Sequence, residues 1–374
     1  MAQAARAAAD SAEAGREAAR QQQSNESVGP LEERVKSLAL ALGFDLAGIA
    51  PAAPLPQAGR LRDWLARGYA GEMSYIGRRV EERVDPGRVL EGARSVIALG
   101  FVYDPGERPQ LAPGRGEISR YAGGDDYHEV LIDRVRALEA GLEVLAGQAV
   151  RTRGYVDTGP VQERNLAALA GIGWIGKNAC LIHPRLGSYL FLAAVLTDLP
   201  LSPDAVEADH CGSCTACLEA CPTDAFPEPG VLDATRCIAY TTIEARGPVP
   251  EPLRADHGRL AFGCDICQEV CPWNHRERRL LPPDSLGLRA RMAPRPEWQQ
   301  PTLEWLLGLD EESWRQATRH SALRRARYQG LLRNAIVAAG NSGDRSLVPL
   351  LAQHAAGDDA LLAEHARWAL DQLG

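Results

Sequence analysis

Lysine is nearly absent: Lys36 and Lys177 are the only two in 374 residues, so almost every positive charge is an arginine. Long apolar runs are missing as well. The longest, Tyr189–Thr197, falls far short of the roughly 20 residues a bilayer crossing needs, which excludes a membrane-spanning helix. The first 30 residues hold alanine, glutamine, arginine and acids. They contain no apolar signal core and no twin-arginine signal, so no secretory leader is expected and the expected compartment is the cytoplasm. This stretch, residues 1–30, reads as a disordered or weakly helical extension outside the fold. A basic excess is missing too: 41 cations against 49 acids leave a net charge of −8 and a pI near 5.6. That excludes a wholesale basic coat for nucleic acid and leaves room for a local basic face. No G-x-G-x-x-G follows a strand, so a Rossmann-type nicotinamide or flavin site is not supported. What remains is ordinary, 45% hydrophobic and 24% charged, enough for a sizeable core in two to three domains.

From Leu31 to about Pro200 strands and helices alternate. Helical spacing covers Leu31–Leu42, Leu61–Tyr69, Tyr127–Leu145 and Val161–Ala170; strand patterns cover Phe44–Ala50, Ser95–Tyr103, Val150–Val156 and Tyr189–Leu196. The alternation predicts an α/β layer fold over residues 31–205. From 206 to 275 the periodicity gives way to cysteines, prolines and short segments, the mark of a small domain whose core is inorganic. A Pro- and Arg-rich stretch from His275 to Pro301 leads into a helical tail. There, Gly330–Gly340, Leu347–Ala356 and Leu361–Leu373 form helical pairs broken at glycine, which predicts an all-α HEAT-like repeat within residues 276–374.

Nine cysteines in a reducing compartment point to metal or redox chemistry rather than disulfides. The sharpest pattern is Cys211-x2-Cys214-x2-Cys217-x3-Cys221-Pro222. It is the bacterial ferredoxin run for a [4Fe–4S] cluster, in which three close thiolates wrap one cubane and the fourth, before proline, serves the other cluster. A second run, Cys264-x2-Cys267-x3-Cys271-Pro272, is one ligand short, and Cys237 can supply it. By the crossed rule, the first cluster takes Cys211, Cys214, Cys217 and Cys271; the second takes Cys221, Cys237, Cys264 and Cys267. The competing reading is two zinc sites built from CxxC pairs, for which the triple spacing and the crossed Cys-Pro are unusual. Cys180 is left over and reads as a small buried hydrophobe.

These runs, together with Val156-Asp157-Thr158-Gly159-Pro160, Gly171–Asn178, Ile118–Ala122, Asp126-Tyr127-His128, Arg236-Cys237-Ile238 and Gly330–Ala335, resemble epoxyqueuosine reductase from about Leu31 to the C-terminus. The resemblance implies cobalamin in the N-terminal α/β domain beside the two clusters. It implies reductive removal of the epoxide oxygen of epoxyqueuosine at the wobble position of tRNA, giving queuosine. It also implies base-off cobalamin, and the lower-ligand motif D-x-H-x-x-G is indeed absent, since Leu131 stands where its glycine would be. Asp157 falls in the motif that carries the family's proton donor. A carboxylic acid raised toward neutrality by burial can protonate a leaving alkoxide; from the residues alone, Asp157 reads as a helix N-cap. The match also implies cobalamin contacts at Arg83, Leu181, Leu192, Arg236, Asp265 and Ile266. Ser119 stands where some members have cysteine, which puts a cobalt-ligand role for it in doubt. Lys177 and Asn178 form a polar loop whose role the match leaves open.

Between Ser313 and Gly343 there are six arginines, Arg315, Arg319, Arg324, Arg325, Arg327 and Arg333, and no carboxylate side chain. Fixed positive charge is what phosphate contacts require, and this face is assigned to the tRNA backbone. Arg276, Arg278, Arg279, Arg289, Arg291 and Arg295 add a second basic stretch. The target nucleotide is expected to be flipped out. Electrons are expected from an external low-potential donor, no membrane contact is expected, and a monomer is the default. Two other readings share parts of the pattern: a cobalamin- and cluster-dependent reductive dehalogenase, and a ferredoxin-type electron-transfer protein that would bind no cobalt.

Overall fold

A computed structural model of the chain describes residues 2–25, 29–103, 106, 108–275 and 281–374. Two strands carry unbroken apolar runs and become the centre of a four-stranded sheet: all of Ser95–Val102 is buried, and Leu190–Thr197 is buried at six of eight positions. The strand order is Leu46–Pro51, Ser95–Val102, Leu190–Thr197, Thr152–Val156, and every neighbouring pair is antiparallel. Period-2 alternation then fills two cores. Ile97, Leu99, Phe101, Phe191 and Val195 face the helices Leu31–Ala41 and Tyr127–Ala146. Val96, Ala98, Ala194 and Leu196 face the short helix Glu163–Leu169, with Leu166 and Ala167. The helix–strand alternation thus gives a layered α/β domain, with antiparallel hydrogen bonding throughout its central sheet.

Residues 2–25 correct an expectation. Ala2–Asn25 is a helix that lies along Tyr127–Ala146, with Ala19 fully buried and Gln23 Nε2 donating to Val144 O at 2.7 Å. The contact is made by small side chains. A Cβ built on Gly15 would stand 1.8 Å from Ala137 O, and one on Gly141 would stand 3.0 Å from Gly15 O. Backbones that close pack well without any large hydrophobe, and alanine supplies helix propensity. Hence no apolar run announces the segment.

The cysteine-rich part is built from single turns, Ala216–Glu219, Ile238–Ile243 and Ile266–Glu269. It is tied to both flanking regions. Its strand Leu260–Phe262 pairs in parallel with Glu117–Ile118. Ile118 and Ala122 share a core with Phe262 and with tail residues Trp298, Leu306, Leu332 and Ile336. In the tail, Ala360–Leu373 packs against both Arg327–Gly340 and Val348–Ala355, the expected helical repeat. Among the described residues no helix is long and apolar enough to cross a membrane.

Candidate active site and cluster centre

The strand Thr152–Val156 ends at Asp157, a non-glycine residue at φ +56°. That left-handed conformation costs about 1–3 kcal/mol and persists where surrounding structure imposes it. Here the constraint comes from the first turn of Tyr127–Ala146. Tyr127 Oη donates to Asp157 Oδ2 at 2.9 Å, and His128 Nε2 lies 3.4 Å from the same oxygen. Behind it, His128 Nδ1 is 2.7 Å from Asp126 Oδ1, and that carboxylate also caps the helix by accepting from the His128 backbone N–H. Tyr127 is held flat between rings, 4.1 Å from Phe191 and 4.0 Å from His128. Asp157 caps no helix: Glu163–Leu169 starts after Gln162, without a side-chain cap.

The electrostatics invert one expectation. The Asp157 side chain is largely exposed; the protein packed beneath it acts to raise the carboxyl, but the hydrogen bonds from His128 and Tyr127 outweigh this and hold the group below the usual carboxylate value. Burial would likewise lower His128; its bonds to Asp126 and Asp157 lift it instead, to about 9. At neutral pH the transferable proton therefore sits on His128, between two carboxylates. Sequence reading singled out Asp157 and left His128 and Tyr127 without a role. The signal was the i, i+1 placement of both beside a capping aspartate, which becomes informative only once the partner strand is in place.

The turn after Asp157 carries a second group. Arg83 Nη1 lies 3.5 Å from Gly159 O and Val161 O, while its Nε is buried without a partner among the described residues. Among the described residues Glu163 Oε1 is also buried without a partner, and burial, followed by the charge of Asp157, pushes this carboxyl up to about 8. Two orphaned buried polar atoms beside one turn suit a ligand rich in amides. The remaining cofactor candidates divide. Leu181 packs into the core on the second face of the sheet, whereas Leu192 and Ile266 are half-buried. Arg236 Nε donates to Thr223 O at 2.8 Å, and half of its side chain is exposed. Ser119 and Asp265 are both buried and meet each other: Ser119 Oγ donates to Asp265 Oδ1 at 2.6 Å, and Asp265 Oδ2 accepts from Arg120 N and Arg108 Nη2. Both carboxylate oxygens are spent within the protein, so Asp265 acts through the loop it holds.

All nine cysteines are free thiols. Two neighbourhoods stand out among them. Cys217 has Cys271, Cys211 and Cys214 within electrostatic reach; Cys264 has Cys237 and Cys221. Cys214 is exposed, so the first group is the outer one. Tyr121 connects the inner group to the acid site, its ring 6.0 Å from Tyr127 and 6.2 Å from Phe262, two residues before Cys264. The Gly171–Asn178 loop straps both groups. Lys177 Nζ donates to Gly212 O and Cys214 O at 2.7 and 2.9 Å, and Asn178 Nδ2 donates to Cys267 O at 3.2 Å. Cys180, a free thiol, lies on the same loop beside the Asn178 side chain, whose Oδ1 accepts from the Cys180 backbone N–H at 3.2 Å.

Two family models match: "4Fe-4S double cluster binding domain" over residues 210–274 and "Epoxyqueuosine reductase QueG, DUF1730" over residues 83–158. The epoxyqueuosine reductase of Gloeobacter violaceus is 44% identical over 320 residues, covering 85% of this chain and 98% of the relative. The chain belongs to the epoxyqueuosine reductase family. That of Pseudomonas aeruginosa is 38% identical over 352 residues, covering 92% of this chain and 95% of the relative. Among solved structures, an epoxyqueuosine reductase bound to an epoxyqueuosine-modified tRNA-Tyr stem loop superposes with a TM-score of 0.82 at 33% identity, covering 92% of this chain and 90% of that one. The Streptococcus thermophilus enzyme gives 0.81 at 30% identity, covering 91% and 90%. Membership makes the chain an oxidoreductase with a double [4Fe–4S] domain.

The basic face is smaller than the sequence suggests. Arg333 is 0% exposed. It donates to Ala245 O, Gly247 O, Thr241 O and the Asn334 side chain, so it is an internal brace and no phosphate ligand. Arg325 grips Glu244 through two 2.8 Å bonds and covers the Tyr75 ring. Arg315 pairs with Glu311 and Glu312. The window 313–343 lacks acids, but these arginines find carboxylates just outside it or 81 residues away. Arg319, Arg324 and Arg327 are exposed and have no acidic partner among the described residues. In the second stretch, Arg289 pairs with Asp45 and Arg291 and Arg295 share Asp125; Arg276, Arg278 and Arg279 lie outside the described residues.

Proposed function

We propose that this chain removes the epoxide oxygen of epoxyqueuosine at the wobble position of tRNA, with cobalamin between the Asp157 turn and the inner cluster. Conversion of the epoxide to an alkene consumes two electrons and two protons and releases water. Cobalamin, when bound, supplies a reduced cobalt centre able to open the strained C–O bond. The residues supply the rest. Asp157 receives a proton from the His128 imidazolium as the bound substrate shields it from water, and delivers it to the departing oxygen. Asp126 keeps His128 charged and oriented. Arg83, Glu163, Leu192, Arg236 and Ile266 are the contacts proposed for the corrin and its amides; Ser119 and Asp265 shape the loop beneath it, and Leu181 backs it from the core. Both ring nitrogens of His128 are engaged by carboxylates, so this imidazole would serve as a proton source and not as a ligand to cobalt. Cys211, Cys214, Cys217 and Cys271 hold the outer cluster, which takes electrons from a low-potential donor; Cys221, Cys237, Cys264 and Cys267 hold the inner one. Arg319, Arg324 and Arg327 contact tRNA phosphates, and the chain acts as a monomer in the cytoplasm.

The Asp126–His128–Asp157 chain carries this reading, because it places a mobile proton on one side of a left-handed turn beside two orphaned polar atoms. The test is an anaerobic reaction of the reconstituted chain, cobalamin and a low-potential reductant with tRNA containing epoxyqueuosine, followed by mass spectrometry of the nucleosides. A cobalamin-dependent loss of one oxygen mass is expected. No loss, with eight irons bound and an active control enzyme alongside, would reject the assignment.

A further inference from the structure

Trp174 is 3% exposed, and its indole N–H donates to Cys211 Sγ at 3.4 Å. The donor belongs to the N-terminal domain and the acceptor to the cysteine-rich one. The indole is fixed in place from several sides. Trp174–Ile175 pairs with Leu181–Ile182, and a Cβ on the preceding Gly173 would stand 2.1 Å from Ile182 O, so the pair cannot shift. The ring meets Trp273 edge-on at 5.1 Å and His210 at 4.9 Å, and packs in one apolar cluster with Ile182, Cys211 and Cys271. The inner group is furnished differently. There Cys221 Sγ accepts from the Ala225 backbone N–H at 3.3 Å and has the Thr223 hydroxyl 3.6 Å away, with no indole among its described neighbours.

A cluster sulfur gains negative charge when the cluster takes up an electron. A fixed N–H aimed at that sulfur therefore favours the reduced state, and it does so more strongly where water is excluded. Solvent reaching Cys214 acts in the same direction on the same cluster. We propose that Trp174 is a tuning residue: its indole N–H on Cys211 raises the reduction potential of the outer cluster, so that this cluster is the first to accept an electron from a low-potential one-electron donor. The inference rests on Cys211 being a ligand of the outer cluster.

The test uses the full chain, anaerobically reconstituted and shown to hold eight irons, titrated with dithionite while the two reduced clusters are followed by electron paramagnetic resonance. Trp174→Phe keeps an aromatic ring and removes the donor. The higher of the two midpoints is expected to fall by about tenfold in the reduction equilibrium, ~59 mV for a one-electron couple, while the other stays in place. Unmoved midpoints, or two that fall together, would overturn the proposal while leaving the cluster assignment intact. A parent chain holding fewer than eight irons would overturn both. If Trp174→Phe fails to assemble clusters, the parent grown on 15N-indole tryptophan decides: a nitrogen hyperfine coupling at the first-reduced cluster is expected, and its absence refutes the contact.

Discussion

Replacing Arg333 by methionine separates a structural role from a tRNA-binding one. The side chain makes five hydrogen bonds of 2.5–3.1 Å to Thr241 O, Ala245 O, Gly247 O and Asn334 Oδ1. Methionine fills much of the space but leaves four buried acceptors without a donor, at about 1–3 kcal/mol each. Against this stands relief from burying a guanidinium, whose cost is visible in Arg333 being lowered to about 10 by burial. The acceptors outweigh that relief, and a net loss of about 3 kcal/mol is expected. Binding to a tRNA stem loop should keep its salt dependence at temperatures where the variant is folded, because a fully buried side chain touches no phosphate. The triple variant Arg319→Ala, Arg324→Ala, Arg327→Ala should behave in the opposite way. Its stability should stay within about 0.5 kcal/mol of the parent. Its slope of log K against log salt should flatten by roughly 2–3, since each phosphate contact contributes about 0.7–0.9. Denaturant unfolding and filter binding at several salt concentrations read both quantities. A folded Arg333→Met protein with a flattened slope, or a triple variant with an unchanged one, would refute the placement of the basic face.

Three further outcomes are expected. Asp157→Asn keeps a side chain that tolerates φ +56°, so it should retain eight irons and lose about 10²–10⁴-fold in turnover measured by nucleoside mass spectrometry. His128 is raised from 6.5 to about 9 by folding, so its contribution is complete below pH 6.5 and is lost as pH rises to 9. Over that window the parent should lose about 1–2 kcal/mol, discounted because Asp157 is partly exposed, that His128→Gln does not lose, as read by unfolding at each pH. Gly15→Leu should undock the N-terminal helix, since even a Cβ meets Ala137 O at 1.8 Å. Hydrogen exchange should then rise in residues 2–25 and along Tyr127–Ala146, while the cluster iron content is unchanged.

What the sequence revealed follows the range of each interaction. The double-cluster domain was legible because its chemistry is written in spacings of two and three residues, from Cys211 to Cys221 and from Cys264 to Cys271. The central strands were legible because a strand buried on both faces has to be apolar at every position. Their antiparallel order was not, since hydrogen-bond partners such as Ser95 and Thr197 are 102 residues apart. The N-terminal helix escapes the hydrophobic pattern for a different reason: a close helix crossing built from Gly15, Ala19 and Gly141 carries no hydrophobic signature.

The arginines show why composition windows mislead. A stretch of sequence without acids need not be a stretch of surface without acids, because a guanidinium reaches any carboxylate or carbonyl that the fold supplies. Glu244 arrives from 81 residues away for Arg325, and the carbonyls around Arg333 arrive from 86 to 92 residues away. Asp157 presents the same problem in reverse. Its sequence context suits a helix cap, and only the left-handed turn that sets it against His128, 29 residues earlier, gives it the proton source that the proposed reaction requires. The functional reading therefore depends on contacts between Tyr127–Ala146 and the end of Thr152–Val156. The same contacts fix which of the two groups holds the proton at neutral pH, and they place it on the imidazole.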